Sequence, residues 1–343
     1  MTPQPFGTLP DGTAVEKHTL RNASGASADI ITYGGIITAL RVPDRQGKLT
    51  DVVLGFDTLA AYLAGHPYFG AIIGRIAGRV TAGKLRLPDG TRDLVLNDGP
   101  NHLHGGLVGF DKRVWTVKSA TAASLVLFYH SPDGEEGYPG NLDVTVTYTL
   151  TDANELVVES HATSDRVTPL SLAQHSYFNL AGEGSGPVLD HEVQILPESM
   201  VPAADGAMTL SGKLTPVAGT GNDFTQPRRL GDALPGMFKA HGENYFIRAT
   251  AATSPTLVAR VFHPDSGRVL TVSTNDCALQ FYTGVALDGT LTGKSGRAYT
   301  AHHGLCLECQ GYPDGAHRSE LGDTLVHPGV PQIRKTIYAF TTV

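Results

Sequence analysis

Cysteine, methionine and tryptophan are scarce in this chain of 343 residues, at three, four and one respectively. Three cysteines (Cys277, Cys306, Cys309) cannot staple so long a chain, and the odd count leaves at least one free thiol, which fits a reducing compartment. Charge is sparse too: 17% of residues, 26 Lys+Arg against 33 Asp+Glu, a formal charge of −7. With no sizeable Lys/Arg cluster there is no counterion-releasing surface, so no nucleic-acid partner is expected. Apolar stretches such as Ile30 to Leu40 are too short to span a bilayer, so no membrane segment is expected. Met1 to Gly12 lacks a basic stretch followed by an apolar one. The expectation is a soluble, cytoplasmic protein.

What is present is core material and turns. Hydrophobic residues make up 41% of the chain, beside 40 glycines and 21 prolines, a composition that suits a turn-rich globular protein. Period-2 alternation prevails: in Asp143 to Leu150, Val144, Val146, Tyr148 and Leu150 alternate with threonines, as in a half-buried strand. Ser124–Tyr129, Glu155–Glu159, Thr256–Phe262, Arg268–Ser273, Gly304–Cys309 and Thr336–Phe340 read as further strands. Turns fall at Pro88-Asp89-Gly90, Pro132-Asp133-Gly134 and Asp265-Ser266-Gly267. Asp57 to Ala64, with Asp57 as N-cap, is the one segment that reads as a helix. Many short strands imply an all-β fold, a large antiparallel β-sandwich with very little helix, in a single domain over residues 1–343. Val201 to Gly221, rich in Gly, Ala, Thr and Pro, reads as a long surface crossing.

Several segments carry polar groups where apolar ones would be expected. In Cys306-Leu307-Glu308-Cys309-Gln310, strand geometry sends Cys306, Glu308 and Gln310 to one face and Leu305, Leu307 and Cys309 to the other. This argues against a redox or zinc use of the two cysteines. Glu308, a carboxylate in an otherwise apolar strand, is either functional or half of a structural ion pair. His175, among Leu172 to Leu180, is either a satisfied core histidine or an acid–base group. In Asn101 to Gly106, His102 and His104 share a face if extended, but no further ligand stands at a characteristic spacing, so no metal is expected. Arg75 and Arg79 would share a strand face, one forking to ligand oxygens and the other pairing with a carboxylate, or both simply solvated. Gly289 to Ser295 is one residue short of a P-loop, with no helix pattern after it, which disfavours a nucleotide.

Taken together, these segments resemble the aldose 1-epimerase (galactose mutarotase) family nearly end to end. The resemblance runs through Asp51 to Phe56, Tyr68 to Arg79, Leu103 to Gly106, Asp133 to Gly140, His175 to Gly182, Gln280 to Gly284, and Leu307-Glu308 with Gln310 and Pro313-Asp314. It implies a monosaccharide substrate bound on one sheet of a β-sandwich, interconversion of α and β anomers of free aldoses, and no metal or organic cofactor. It also implies Glu308 as general base on the anomeric hydroxyl, His175 as general acid at the ring oxygen, and His104, Arg79 and Gln280 as sugar-binding groups. The expected assembly is a monomer or a weak homodimer.

The chain departs from the family pattern at three places. Gly78 stands where an Asn usually precedes the second arginine, and Val285 replaces an Asn after Tyr-Thr-Gly. In Gly242-Glu243-Asn244-Tyr245-Phe246 the family's sugar-binding Asp has no identical match, which makes Glu243 the carboxylate at hand. Alternatives on the same residues are a hexose-phosphate epimerase needing further cations, a carbohydrate-binding sandwich, and a glycosidase using Glu308 and Asp314.

Overall fold

The structure, a computed structural model, describes residues 2–203, 209–317, 321–322 and 324–343. Its largest sheet has nine strands in the order Thr116–Ala120, Ser124–Ser131, Leu142–Leu150, Glu155–Ser164, Gln332–Thr342, Arg268–Thr274, Thr256–Phe262, Glu192–Ile195 and Arg228–Arg229. All its neighbours are antiparallel. A five-stranded antiparallel sheet covers Gln4 to Asp51. A four-stranded sheet joins Ser199–Val201, Asn244–Phe246, Ala278–Tyr282 and Cys306–Gln310.

Alternation explains how these sheets share a core. Along Leu142–Leu150 the odd set Asp143, Thr145, Thr147 and Thr149 faces outward while Leu142, Val144, Val146, Tyr148 and Leu150 are buried. Those side chains pack with Leu20, Ile30 and Leu40 of the five-stranded sheet and Leu279, Phe281 and Leu307 of the four-stranded one. Burying one stripe from each of three sheets is what makes the sandwich stable, at roughly 1.5–3 kcal/mol per large apolar side chain.

The expected strands are present, with Gly304–Cys309 observed as Cys306–Gln310 and Thr336–Phe340 extended to Gln332–Thr342. The helix is shorter than read, Leu59–Leu63, and Thr58 rather than Asp57 caps it, its hydroxyl accepting from Ala61 N–H. A second helix, Leu230–Ala233, has four residues, too few for any periodicity to show. Gly289 to Ser295 lies in a hairpin of Asp288–Thr292 with Ala298–Thr300, and Lys294 is spent on Asp51 and two carbonyls. The Val201–Gly221 segment lies partly outside the described residues; Val201 and Val217 are buried and Met200 bridges Thr215, so it is more than a surface crossing. Among the described residues no helix is long and apolar enough to cross a membrane.

The arginine pair corrects the strand reading. Arg75 follows the two-residue strand Ile72–Ile73 and Arg79 begins another, Arg79–Val80. Arg75 is 1% exposed, so it is not a solvated surface cation. Its guanidinium donates to the carbonyls of Ser131, Pro132, Pro139 and Gly140 and to the hydroxyls of Ser131 and Thr168. One buried cation thus gathers the backbone of a loop that would otherwise leave carbonyls unpaired.

Candidate active site

Three short pairings bring the site together. Cys306–Gln310 is buried on both faces: Leu307 and Cys309 enter the core, and Glu308 and Gln310 face a cavity. Gln280 stands across from Glu308 in register. Ala173–Gln174 pairs with Ile72–Ile73, and the backbone of His175 is clamped by bonds with Gly70 and Ala71 (3.0 and 2.9 Å), which sets its ring beside Glu308. Arg79–Val80 pairs with His102–Leu103, presenting Arg79 and His104 from the other wall.

The cavity these walls enclose is about 270 Å³, just below the roughly 300–1,000 Å³ of drug-sized sites and suited to a small ligand. His175 Nε2 lies 3.6 Å from Glu308 Oε2. Both residues are almost wholly buried, and among the described residues the group within ion-pair range of Glu308 is His175 rather than a Lys or Arg. Burial pushes Glu308 up to about 8 against a smaller opposing pull from Arg79, and burial pushes His175 down to about 4. Around neutrality the pair therefore holds one proton between two groups.

The remaining polar groups are arranged for a hydroxyl-bearing ligand. Gly78 N–H donates to His104 Nδ1 at 3.1 Å. A neutral imidazole that accepts at Nδ1 carries its proton on Nε2, so His104 offers a donor. This bears on metal binding, because His104, His175 and Glu308 place their ligand atoms within 4.8 Å of one another. A ring already accepting Gly78's N–H would have to give up that bond to free Nε2 for a metal, so the trio fits hydrogen bonding better than coordination. His102 turns away, its ring held by Val95 carbonyl and Tyr138 hydroxyl, so the expected His102–His104 chelate does not form. Arg79 lines the cavity and also meets Asp98 through Nε (2.7 Å), combining the two tasks expected of separate arginines. Buried Glu308 Oε2 and Gln310 Oε1 have no partner, an expense on the order of 1–3 kcal/mol each that a donor-rich ligand would offset.

Aromatic rings form the rest. Tyr177 stacks on His175 at 5.2 Å, and Tyr68 sits 4.6 Å from the His104 ring. Tyr68 and His104 have φ of 63° and 52°, left-handed values that side-chain-bearing residues adopt at some cost. Tyr68 and Tyr282 lie inside the matching stretches, whereas nothing in the sequence marked His241, whose ring contacts Tyr282 on the cavity wall. Glu243 does not line this cavity; it lines a smaller one beside it.

Comparison with known proteins places this geometry. The aldose 1-epimerase family profile matches residues 16–338. Galactose mutarotase from Mus musculus is 45% identical over 98% of this chain and 97% of its own, and aldose 1-epimerase from Escherichia coli K12 is 33% identical over 96% of each. Among solved structures, an aldose epimerase homologue from C. elegans superposes with a TM-score of 0.89 at 28% identity, covering 96% of this chain and 100% of that one. Galactose 1-epimerase from Lactobacillus acidophilus gives 0.83 at 27%, covering 99% and 98%. The chain belongs to the aldose 1-epimerase family and is an isomerase.

Proposed function

We propose that this protein interconverts the α and β anomers of free aldoses by opening and reclosing the pyranose ring. The observation that carries the reading is the buried Glu308–His175 pair, 3.6 Å apart at the floor of a sugar-sized cavity. Glu308 takes the proton of the anomeric hydroxyl while His175 gives one to the ring oxygen. The C1–O bond breaks, leaving an aldehyde and a new hydroxyl. Rotation about C1–C2 turns the other carbonyl face inward. His175 then removes the hydroxyl proton, the oxygen attacks C1, and Glu308 returns a proton to the former carbonyl oxygen. The proton count is the same before and after, as a reversible isomerisation requires.

In the protein alone, burial favours that single proton on Glu308. A bound sugar donates its anomeric hydroxyl to Glu308 and offers its ring oxygen to His175, and both contacts favour the charge-separated form that the mechanism uses. Arg79 pulls the same way. Arg79, His104 and Gln280 hold ring hydroxyls from the cavity wall, and Glu243 holds one from the adjoining pocket. We read residues 1–343 as one such unit.

Two alternatives lose support. Arg79 is the one Lys or Arg on the described cavity wall, since Arg75 is buried among carbonyls and Arg229 pairs with Asp190 and Asp232, so a phosphate would find a single cation. Asp314 accepts from Thr81 away from the cavity, so Glu308 faces a histidine rather than the second carboxylate of a glycosidase. The test is polarimetry of freshly dissolved α-galactose and α-glucose with wild type, Glu308→Ala and His175→Ala. Acceleration by wild type that both variants lose supports the reading; no acceleration of any common aldose overturns it.

A further inference from the structure

The imidazole of His175 has two nitrogens, and the proposed reaction exchanges a proton at only one of them. Nε2 faces Glu308 at 3.6 Å, while Nδ1 lies 3.6 Å from the sulfur of Cys306. Cys306 and Glu308 stand two apart on one strand and so share a face of it. The ring therefore reaches from one to the other. Cys306 is fully buried in the same packed cluster as Ala77, Ala173 and Tyr177. Burial, reinforced by the nearby Glu308 carboxylate, pushes its thiol well above the usual range, so near neutrality it stays an uncharged S–H.

A neutral imidazole carries one N–H and one bare nitrogen, and its surroundings decide which is which. Tyr68 and Tyr177 stack on the His175 ring at 5.8 and 5.2 Å, which holds its plane without choosing the nitrogen. The groups at its two ends do choose. Nδ1 meets the sulfur, a weak acceptor, and the ring's contact with its own backbone favours a proton there as well. At the other end stands Glu308, which holds the pair's proton in the protein alone and faces Nε2, the nitrogen left bare to receive it. His104 is the reverse, because Gly78 N–H occupies its Nδ1 and leaves the proton on Nε2. The two cavity histidines are thus set in opposite tautomers, one a fixed donor and the other an exchanger.

The use of sulfur has a chemical consequence. A carboxylate at Nδ1 would select the same tautomer, but it would also stabilise the imidazolium and make it a weaker acid. An uncharged thiol selects the tautomer and leaves the acid strong.

We propose that Cys306 is a positioning residue for the general acid: its sulfur accepts the Nδ1–H of His175 throughout the cycle, so that Nε2 alone gives and takes the proton. The inference rests on the epimerase reading, but the tautomer is read without turnover. Nitrogen-15 spectra of histidine-labelled protein near neutral pH, with the His175 signal assigned by its loss in His175→Asn, are compared for wild type, Cys306→Val and Cys306→Ser. Polarimetry gives kcat and KM for galactose on the same samples. Wild type and Cys306→Ser, which keeps an acceptor, are expected to hold a neutral His175 protonated at Nδ1. Cys306→Val is expected to show mixed tautomers, with kcat lowered about tenfold and KM changed less than about twofold, and Cys306→Ser to recover most of that kcat. The other histidine signals report folding, and Cys306→Ala replaces the valine variant if that one does not fold. A proton on Nε2 in wild type, or an acceptor-less variant with wild-type tautomer and kcat, overturns the role of Cys306 and leaves the epimerase reading standing. Failure of wild type to accelerate mutarotation overturns the epimerase reading, and this role with it, whatever the tautomer.

Discussion

His175 Nε2 and Glu308 Oε2 face each other across 3.6 Å, too far for a good hydrogen bond and too close for either to ignore the other's charge. On the proposed mechanism, the gap suits an acid and a base working on two neighbouring oxygens of one substrate. Neither is locked to its partner, so each is free to bond the sugar.

If the two act as one unit, as proposed, their losses should not add. Glu308→Gln and His175→Asn are each expected to lower kcat by roughly 10²–10⁴, and the double variant should fall little below the worse single one. Stopped-flow polarimetry on the three proteins checks this; strictly additive losses in log kcat would mean the residues act in separate steps.

The pH profile follows from the same pair. With His175 near 4 and Glu308 near 8 in the free enzyme, the pair holds one proton between those limits. Below about 4 it gains a second and loses its base; above about 8 it loses its only one and has no acid. A plot of log kcat/KM should be flat between and fall with unit slope on either side, its breaks belonging to the pair rather than to one residue. A profile centred on an ordinary histidine value near 6.5 would contradict this.

Stability should move with pH in a direction opposite to the usual acid unfolding. Burial raises Glu308 to about 8 and Glu243 to about 7 from 4.5. A carboxyl raised on folding stabilises fully below its unfolded value, and that contribution is lost as pH rises through the folded one. Histidines lowered by burial, such as His175 and His241 at about 4, act in the other sense, but their effect is complete by about 6.5. Between pH 6.5 and 8 the unfolding free energy from urea titration, and with it the midpoint, should therefore drop, the free energy by no more than about 1.4 kcal/mol per pH unit for each carboxyl. Glu308→Gln should flatten the drop; a midpoint that climbs over this window would refute the assignment.

His104 is expected to act in binding. Its Nδ1 is taken by Gly78, so its task is to donate through Nε2. His104→Ala should raise KM roughly tenfold with kcat changed only a few-fold. Steady-state kinetics with galactose separate the two, and a kcat loss comparable to that of His175→Asn would make His104 part of the chemistry instead.

Arg75 should matter to stability alone. Removing it strands four carbonyls in the interior, and Arg75→Met is expected to destabilise by roughly 3–5 kcal/mol, as loss of a buried charged partner does. Urea unfolding measures this; a change under 1 kcal/mol would show that the loop finds other donors.

Much of this was legible in the chain because alternation is a local property. The two faces of Cys306–Gln310 and of Leu142–Leu150 follow from a period of two, and the observed burial agrees. Arg75 and His102 were harder, since their partners, Ser131 to Gly140 and Tyr138, lie far along the chain, and only the closed fold shows those groups turned inward. Asp133 to Gly140 was among the richest family matches, yet it cradles Arg75 rather than substrate. Conversely His241 carries no sequence signal, and it reaches the cavity only because the four-stranded sheet brings its segment beside Tyr282.

The strand that bears Glu308 has no solvent side: its neighbours Leu307 and Cys309 belong to the same packed interior that joins the three sheets. The position of the Glu308 carboxylate is thus an extension of the interior's rigidity. Loosening that interior by trimming Leu307, or stiffening it by filling space behind Cys309, would shift the carboxylate along with it. For anyone seeking a hardier catalyst from this scaffold, heat tolerance and the placement of this carboxylate are two readings of one mechanical linkage.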